Sequence, residues 1–314
     1  MNKNFMTIEE QIDLLKSRNL KFKNEEKAKL LLIKNNYYNL INNYSKFLYT
    51  SDNIYFDDVY FEDIVIIHYF DKELKILLFS YLIETEKILK SILTYEYAKE
   101  YQENYAFLKS KNYDRKKQSQ AFNIISDFSN IISFHSNTKK NKGKNAIKHY
   151  INNYSNIPIW VLTNFLTLGQ VTYFYNTLTP KFKYKVVRNH INPNLTNVTG
   201  KKIKIETEIF EAILQNIRQL RNVVAHNNRL VYFKCKNNIK YIDGLHDTDK
   251  RASRQSVYSV IVSLKCFLDK HRYKQFHNIL CKIVDNFKGN IENVEYAEKV
   301  LNSLGIPSNI KELK

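Results

Sequence analysis

The sequence contains very little glycine, proline or cysteine. Its 314 residues include only 6 Gly and 4 Pro, too few for the many tight turns of a β-sandwich or barrel. The three cysteines, Cys235, Cys266 and Cys281, are odd in number and lack Cys-x-x-Cys spacing. They argue for a reducing compartment and against a disulfide framework or zinc site. Long stretches of Leu, Ile, Lys, Glu and Tyr instead predict a mainly α-helical protein.

Long apolar runs are also absent. The most apolar run, residues 76–83, is bounded by Lys75 and Glu84 and is far shorter than the roughly 20 residues that span a bilayer. The first residues lack the apolar region of a signal peptide. We therefore expect a cytoplasmic protein without a membrane partner.

Acidic residues are outnumbered by basic ones. There are 49 Lys and Arg against 31 Asp and Glu, which gives a net charge of +18. Such an excess indicates a polyanionic partner, and in the cytoplasm this means nucleic acid first. An AT-rich genome also enriches Lys, Asn, Ile and Tyr in any protein, so charge alone leaves this second explanation open.

Apolar periodicity and capping residues predict the order of the elements. The predicted helices cover residues 7–18, 24–49, 61–101, 115–134, 157–178 as a pair broken near Gly169, 207–229, and much of the chain from Ser253 onward. Residues 192–202 are predicted to be a polar connector. The segments LVYFK and IKYID, on either side of residues 235–238, predict a β-hairpin. The expected regions are an N-terminal helical region (1–60), a helical core (61–232), and a hairpin with C-terminal helices (233–314).

Two basic segments are candidates for contacts with RNA phosphates. The polar stretch 135–149 has no acidic residue and contains Lys139, Lys140, Lys142 and Lys144. A solvated surface loop explains it equally well. The second segment alternates Lys181, Lys183 and Lys185 with two aromatic residues. On a helix this face can hold phosphates and stack a base, although such aromatics often pack inward.

The predicted helix over residues 207–229 has two distinct faces. At about 100° per residue, one stripe is apolar; it contains Ile209, Ile213, Ile217, Leu220 and Val224. The opposite face, within about 80° of arc, is cationic and hydrogen-bonding; it contains Arg218, Asn222, His226 and Arg229. Arg221 lies beside this second face.

The polar face suits RNA cleavage by attack of a neighbouring 2′-hydroxyl. His226 supplies a proton acceptor or donor near neutral pH, and Arg221 supplies a fixed cation for the developing phosphorane charge. Asn222 can orient either group, and no metal or cofactor is needed. Spacing alone leaves a structural histidine equally open. Arg272 and His277 share the same interval, and we interpret that second pair as a surface feature of a helix.

Residues 221–229, RNVVAHNNR, resemble the "RN…AH…R" signature of HEPN proteins in the Abi-like (AbiD/AbiF-type) family. Three further blocks resemble the same family in the same order, so that the likeness covers roughly residues 7–232. These blocks are residues 37–44 (YYNLINNY), residues 61–86 with their YFD and ETE pieces, and residues 149–170 with their HY, PIWV and LGQ pieces.

The resemblance implies a HEPN-like helical bundle and a metal-independent endoribonuclease that acts in abortive infection against phage. It also implies a site completed by pairing two motifs, usually in a homodimer. His226 would be the general acid/base, Arg221 the transition-state stabiliser and Asn222 the orienting residue, with Arg218 and Arg229 holding phosphates.

Such a toxin needs an antitoxin, either RNA or protein. This chain departs from the family's His-His-x-Arg-Leu-Trp-Asn sequence at positions 227, 231 and 232, which leaves its cleavage specificity open. A non-catalytic RNA-binding module is the main alternative, and a protein-interaction sensor is the third.

Overall fold

The computed structural model describes residues 5–50, 52–137, 143–154, 156–246 and 250–311. Over these residues the chain is mainly α-helical, as predicted. The α-helices are α1 Ile8–Ser17, α2 Glu25–Asn35, α3 Phe61–Glu100, α4 Gln118–Ser136, α5 Ala146–Asn153, α6 Ile159–Leu162, α7 Leu168–Thr177, α8 Pro180–Val186, α9 Asn192–Thr199, α10 Thr207–Ala225, α11 Val257–Ser263, α12 Lys270–Asn290 and α13 Val294–Leu304.

Helix α3 organises the fold. It runs for 40 residues without glycine or proline, and at its start the Asp63 carboxylate accepts a hydrogen bond from the Tyr60 amide at 2.8 Å. One face is buried, as the periodicity of Ile64, Ile67 and Leu74 predicts. It packs against α10, α12 and α6. The motif helix α10 is therefore held against the longest element of the protein.

The N-terminal helices follow the sequence prediction only in part. Helix α1 begins with the predicted capping box, in which the Thr7 and Glu10 side chains each accept a hydrogen bond from the other's amide. The predicted helix over residues 24–49 is too long, because α2 ends at Asn35. Asn36 has a positive φ of 57°, and a π-helical turn, Tyr38–Asn42, follows.

Two other boundaries differ from the prediction. The break in the helix pair lies before Gly169, because Thr167 and Gln170 form a capping box that starts α7. Residues 192–199 form α9 rather than a connector, since they bury Leu195 and Val198. That helix closes at Gly200, which has a φ of 69°; glycine adopts this left-handed conformation readily.

The predicted β-hairpin is wrong. In the described part of the chain, β-pairing is limited to two isolated bridges, Lys21 with Tyr60 and Tyr49 with Tyr55. The LVYFK and IKYID segments do not pair, because amide side chains bind the backbone between them. Buried Asn216 of α10 donates to the Asn237 carbonyl at 2.9 Å.

In the part of the chain that the structure describes, no helix combines the length and apolarity needed to cross a membrane.

Candidate functional site

The motif helix α10 ends at Ala225, four residues before the predicted end. His226 is the C-cap residue, and Asn227 takes the left-handed conformation with a φ of 53°. The Asn228 amide donates to the Val223 carbonyl at 2.9 Å, and the Asn227 amide to the Val224 carbonyl at 3.1 Å. This is a Schellman motif with asparagine in the position that glycine usually takes. His226 therefore lies at the very end of the helix.

The two faces of α10 are arranged as the periodicity predicts. Ile213, Ile217, Leu220 and Val224 are buried, whereas Asn222 and His226 are exposed and Arg218 and Arg221 are half-buried. The predicted catalytic side chains thus lie off the core face of the helix.

A buried carboxylate fixes the chain just after His226. Asp71 of α3 accepts hydrogen bonds from the Leu230 amide at 2.8 Å and the Val231 amide at 3.2 Å. The Tyr44 hydroxyl donates to its other oxygen at 2.9 Å, and burial, together with the Asp71 charge, raises the pKa of that hydroxyl. The Lys75 ammonium lies 3.1 Å from the same carboxylate. Sequence reasoning overlooked this role of Asp71 and Tyr44, although both fall in segments that resemble the family.

Arg229 points back into the fold. Its Nη1 atom donates to the carbonyl oxygens of Asn43 at 3.1 Å and Asn42 at 3.4 Å. Its guanidinium lies 5.8 Å from the centre of the Tyr232 ring. These contacts tie the segment after His226 to the π-helical turn, so the predicted phosphate-holding residue already has backbone partners.

Arg221 lies on the wall of an open groove of about 460 Å³ between α3, α10, and α6 with the segment that follows it. We call it the Arg221 groove; its lining includes Ile83, Glu86, Lys87, Lys90, Trp160, Asn164 and Arg221. Sequence reasoning did not assign Glu86, Lys87, Lys90 or Trp160 to the site. Glu86 and Trp160 belong to the ETE and PIWV pieces that resemble the family, but only the fold brings these pieces beside Arg221.

The guanidinium of Arg221 is loosely held. Its Nη2 atom lies 3.6 Å from the Glu86 carboxylate, beyond ordinary hydrogen-bond distance. Glu86 is more closely paired with Lys90, at 2.8 Å. The buried Nε atom of Arg221 has no hydrogen-bond partner among the described residues. With Lys87, the groove carries three cations and one carboxylate, so it favours an anionic ligand.

The other residues predicted to contact RNA differ in exposure and in whether they are already paired. Lys183 is buried and paired with Glu211 at 2.6 Å, and Lys185 is paired with Glu100. Lys181 and Lys144 are exposed. Arg218 is half-buried, and its Nε atom has no hydrogen-bond partner within the described ranges. Lys139, Lys140 and Lys142 lie outside the described residues.

The second pair with the same spacing is used structurally. Arg272 forms two hydrogen bonds with the Glu84 carboxylate, at 3.0 and 2.5 Å, and its guanidinium lies 4.9 Å from the Tyr81 ring centre. His277 is buried. Of two arginines at the same interval from a histidine, Arg272 is therefore hydrogen-bonded to a carboxylate, whereas Arg221 lies 3.6 Å from Glu86.

No cluster of three His, Cys, Asp or Glu side chains suited to a metal ion occurs among the described residues. Burial raises the pKa of the Cys235 and Cys266 thiols to about 12. Both thiols are therefore kept protonated, and neither acts as a nucleophile at neutral pH.

Comparison with curated proteins gives no match, and neither does comparison with solved structures. The model of a family described as Abi-like protein matches residues 31–232. That range is well over half of the chain, and it contains Tyr44, Asp71, Trp160, Arg221 and His226. The chain therefore belongs to the Abi-like protein family.

Proposed function

We propose that the protein is a HEPN-type endoribonuclease that cleaves RNA without a metal ion and acts as a toxin in abortive infection against phage. Membership of the Abi-like family supports the defence role. The observation that carries the enzymatic proposal is the state of Arg221. It lines an open cationic groove, and its buried Nε atom has no partner among the described residues. Arg272, at the same spacing from a histidine, is hydrogen-bonded to Glu84.

The proposed reaction assigns one task to each motif residue. His226 takes the proton from a ribose 2′-hydroxyl, and the 2′-oxygen then forms a bond to the adjacent phosphorus. Arg221 stabilises the charge of the phosphorane, and Asn222 orients the imidazole or the phosphate. The bond from phosphorus to the 5′-oxygen breaks, and the imidazolium of His226 returns its proton to the leaving oxygen. The products are a 2′,3′-cyclic phosphate and a 5′-hydroxyl.

The geometry of a single helix favours a site shared by two chains. Arg221 and His226 are about 140° apart around the helix axis and about 7.5 Å apart along it. A two-fold arrangement brings His226 of one chain near Arg221 of the other. Exposed apolar residues of α3, of which Ile83 lines the Arg221 groove, support such a contact: Ile76, Phe79 and Ile83 are 64%, 39% and 47% exposed. They follow the i, i+3, i+7 spacing of one helix face.

The proposed pairing is tested by mixing two inactive variants. Arg221→Ala and His226→Ala chains, combined, form mixed dimers that contain one intact composite site, so part of the activity returns. If light scattering shows a strict monomer both with and without RNA, the paired site is wrong. Phe79→Asp, which places a charge on the apolar face, is expected to reduce both dimer formation and activity.

Catalysis is tested with the single variants. His226→Ala and Arg221→Ala are expected to abolish cleavage of labelled RNA without unfolding the protein, because neither side chain lies on the buried face of α10. His149→Ala and Arg188→Ala change an exposed histidine and an exposed arginine outside the motif and serve as controls. EDTA is expected to leave cleavage unchanged. Full activity of His226→Ala, or loss of activity on chelation, contradicts the assignment.

The alternative, a non-catalytic RNA-binding module, predicts different results. It rests on the net charge of +18 and the cationic groove, which bind RNA whether or not they cleave it. In that case the wild-type protein gives no cleavage product, and His226→Ala changes nothing measurable. An RNA antitoxin fits the same basic surface at least as well as a protein one, and sequencing of the nucleic acid that copurifies with the protein identifies it.

A further inference from the structure

Trp160, the sole tryptophan of the chain, is 53% exposed. Its neighbours Ile159, Val161 and Leu162 are all buried, so the short helix α6 is anchored by three side chains and presents the fourth outward. The position is held further by Asn164, whose amide donates to the Trp160 carbonyl at 3.0 Å. Tryptophan is enriched at contact surfaces, because its large ring is apolar and its N–H can donate a hydrogen bond.

The indole lies where two grooves meet. On one side is the Arg221 groove, with Lys87 and Lys90. On the other side is a groove of about 350 Å³, which we call the Tyr101 groove; its lining includes Tyr101, Gln102, Tyr105 and again Trp160. Each volume lies in the range of small-molecule sites, about 300–1,000 Å³.

We infer that Trp160 is the stacking platform of a single-stranded RNA track that runs from the Arg221 groove across the indole into the Tyr101 groove. This inference rests on the proposed function, because it assigns a substrate class to the same site. Cations at one end hold phosphates beside Arg221, and the aromatic ring binds an unpaired base through its face. Proteins that bind single strands combine these two features, a basic groove and exposed aromatic rings.

The arrangement selects unpaired RNA. A base inside a duplex is stacked on both faces and cannot lie flat on the indole, whereas a base in a loop or single strand can. The exposed side chain of Asn164 lines the same groove as Trp160. Its nitrogen donates to the Trp160 carbonyl, and its oxygen can accept a hydrogen bond from an exocyclic amino group. Trp160 and Asn164 are therefore specificity-determining residues, and they act by placing one nucleotide so that an adjoining phosphate reaches Arg221.

The test uses the full-length His226→Ala protein, so that binding is measured without cleavage. A single-stranded RNA of about eight nucleotides, within the usual site size of such grooves, is expected to quench the emission of Trp160. The signal is specific, because the chain has no other tryptophan. The same RNA annealed to its complement is expected to leave the emission unchanged.

Affinities are then compared by fluorescence anisotropy of the labelled RNA. Trp160→Ala is expected to weaken binding ~5- to ~150-fold, the range found for loss of one stacked base, and Trp160→Phe to retain most of the affinity. Phe122→Ala is the control, since Phe122 of α4 is similarly exposed but lines neither groove. Tyr184→Ala tests the other face predicted to stack a base, that of residues 181–185. Circular dichroism checks that each variant is folded.

Three results overturn the inference: no binding of the single strand, binding without quenching, or unchanged affinity of Trp160→Ala. A loss of affinity in Tyr184→Ala alone places the base on α8 and overturns it as well. None of these results touches the proposed function, which depends on whether wild-type protein cleaves RNA and His226→Ala does not. Conversely, if wild-type protein binds and quenches but does not cleave, the proposed function fails and the track remains.

Discussion

Replacement of Asp71 by alanine is expected to destabilise the protein by about 4 kcal/mol. The carboxylate is fully buried and binds four groups at once, the amides of Leu230 and Val231, the hydroxyl of Tyr44 and the ammonium of Lys75. Alanine leaves all four without this acceptor, and it leaves the Lys75 charge buried. Leu230 and Val231 lie shortly after the end of α10, so the change also loosens the placement of His226.

The magnitude follows from the cost of breaking a buried ion pair on one side, about 3–5 kcal/mol. Individual hydrogen bonds to a charged group contribute about 1.5–3 kcal/mol each, but they share one carboxylate and therefore do not add. Asp71→Asn keeps an oxygen for the two amides and leaves Lys75 unneutralised, so we expect a smaller loss of about 2 kcal/mol. Adding Lys75→Met removes that charge, and the double variant should lose about 1–2 kcal/mol less than the sum of the single ones.

Urea unfolding followed by far-UV circular dichroism measures these changes as shifts of the midpoint at constant slope. Asp285→Ala is the matched control, because Asp285 forms an exposed ion pair with Lys311 at 2.9 Å and such pairs contribute about 0–1 kcal/mol. A loss below about 1 kcal/mol in Asp71→Ala, or strict additivity of Asp71→Asn and Lys75→Met, would refute the reasoning. The cleavage rate of Asp71→Asn, measured while the protein is folded, reports the effect on His226.

Three further predictions concern pH, backbone conformation and salt. Burial, and then the charge of Arg254, lowers the pKa of His246 to about 4. The imidazole of the unfolded chain binds a proton at about pH 6.5, whereas that of the folded protein does not. The free energy of unfolding therefore falls by about 2 kcal/mol as the pH drops from about 7 to 5. His246→Gln should remove that part of the pH dependence of urea midpoints, and an unchanged dependence contradicts the assignment. Asn227→Gly should leave the melting temperature nearly unchanged, whereas Asn227→Val should cost about 1–2 kcal/mol at a φ of 53°; equal melting temperatures would show that the helix end has rearranged. Neutralising Lys139, Lys140, Lys142 and Lys144 together should flatten the log–log salt dependence of RNA binding by up to about 0.7 for each phosphate that these lysines neutralise; an identical slope would show that they neutralise none.

Local patterns in the sequence predict several helices accurately. The α1 capping box and the periodicity of α3 are properties of neighbouring residues, and both are observed at the predicted positions. The apolar stripe of α10 is buried as expected. Such features depend on backbone geometry and on burial of one face, and both can be read from residue spacing alone.

Predictions that depended on competing partners were less successful. The segments around residues 235–238 have the composition of strands, but Asn216 of α10 supplies the hydrogen bonds that a second strand would otherwise give. Helix α10 ends at Ala225, and the Asp71 carboxylate binds the backbone that follows at Leu230 and Val231. The local sequence of residues 226–231 does not predict that this backbone binds a buried carboxylate more than 150 positions earlier.

The sequence by itself determined the helical class, the cationic character and the interval between Arg221 and His226. The interval alone did not separate this pair from Arg272 and His277, which have the same spacing. Only the tertiary structure decided which arginine is bound to a carboxylate. It places Glu84 within hydrogen-bond distance of Arg272, whereas Glu86 is paired with Lys90 and lies 3.6 Å from Arg221. The tertiary structure also brings Trp160 and Arg221 into one groove. Helical periodicity can be read from residue spacing, but the neighbours of a side chain depend on which distant elements pack together.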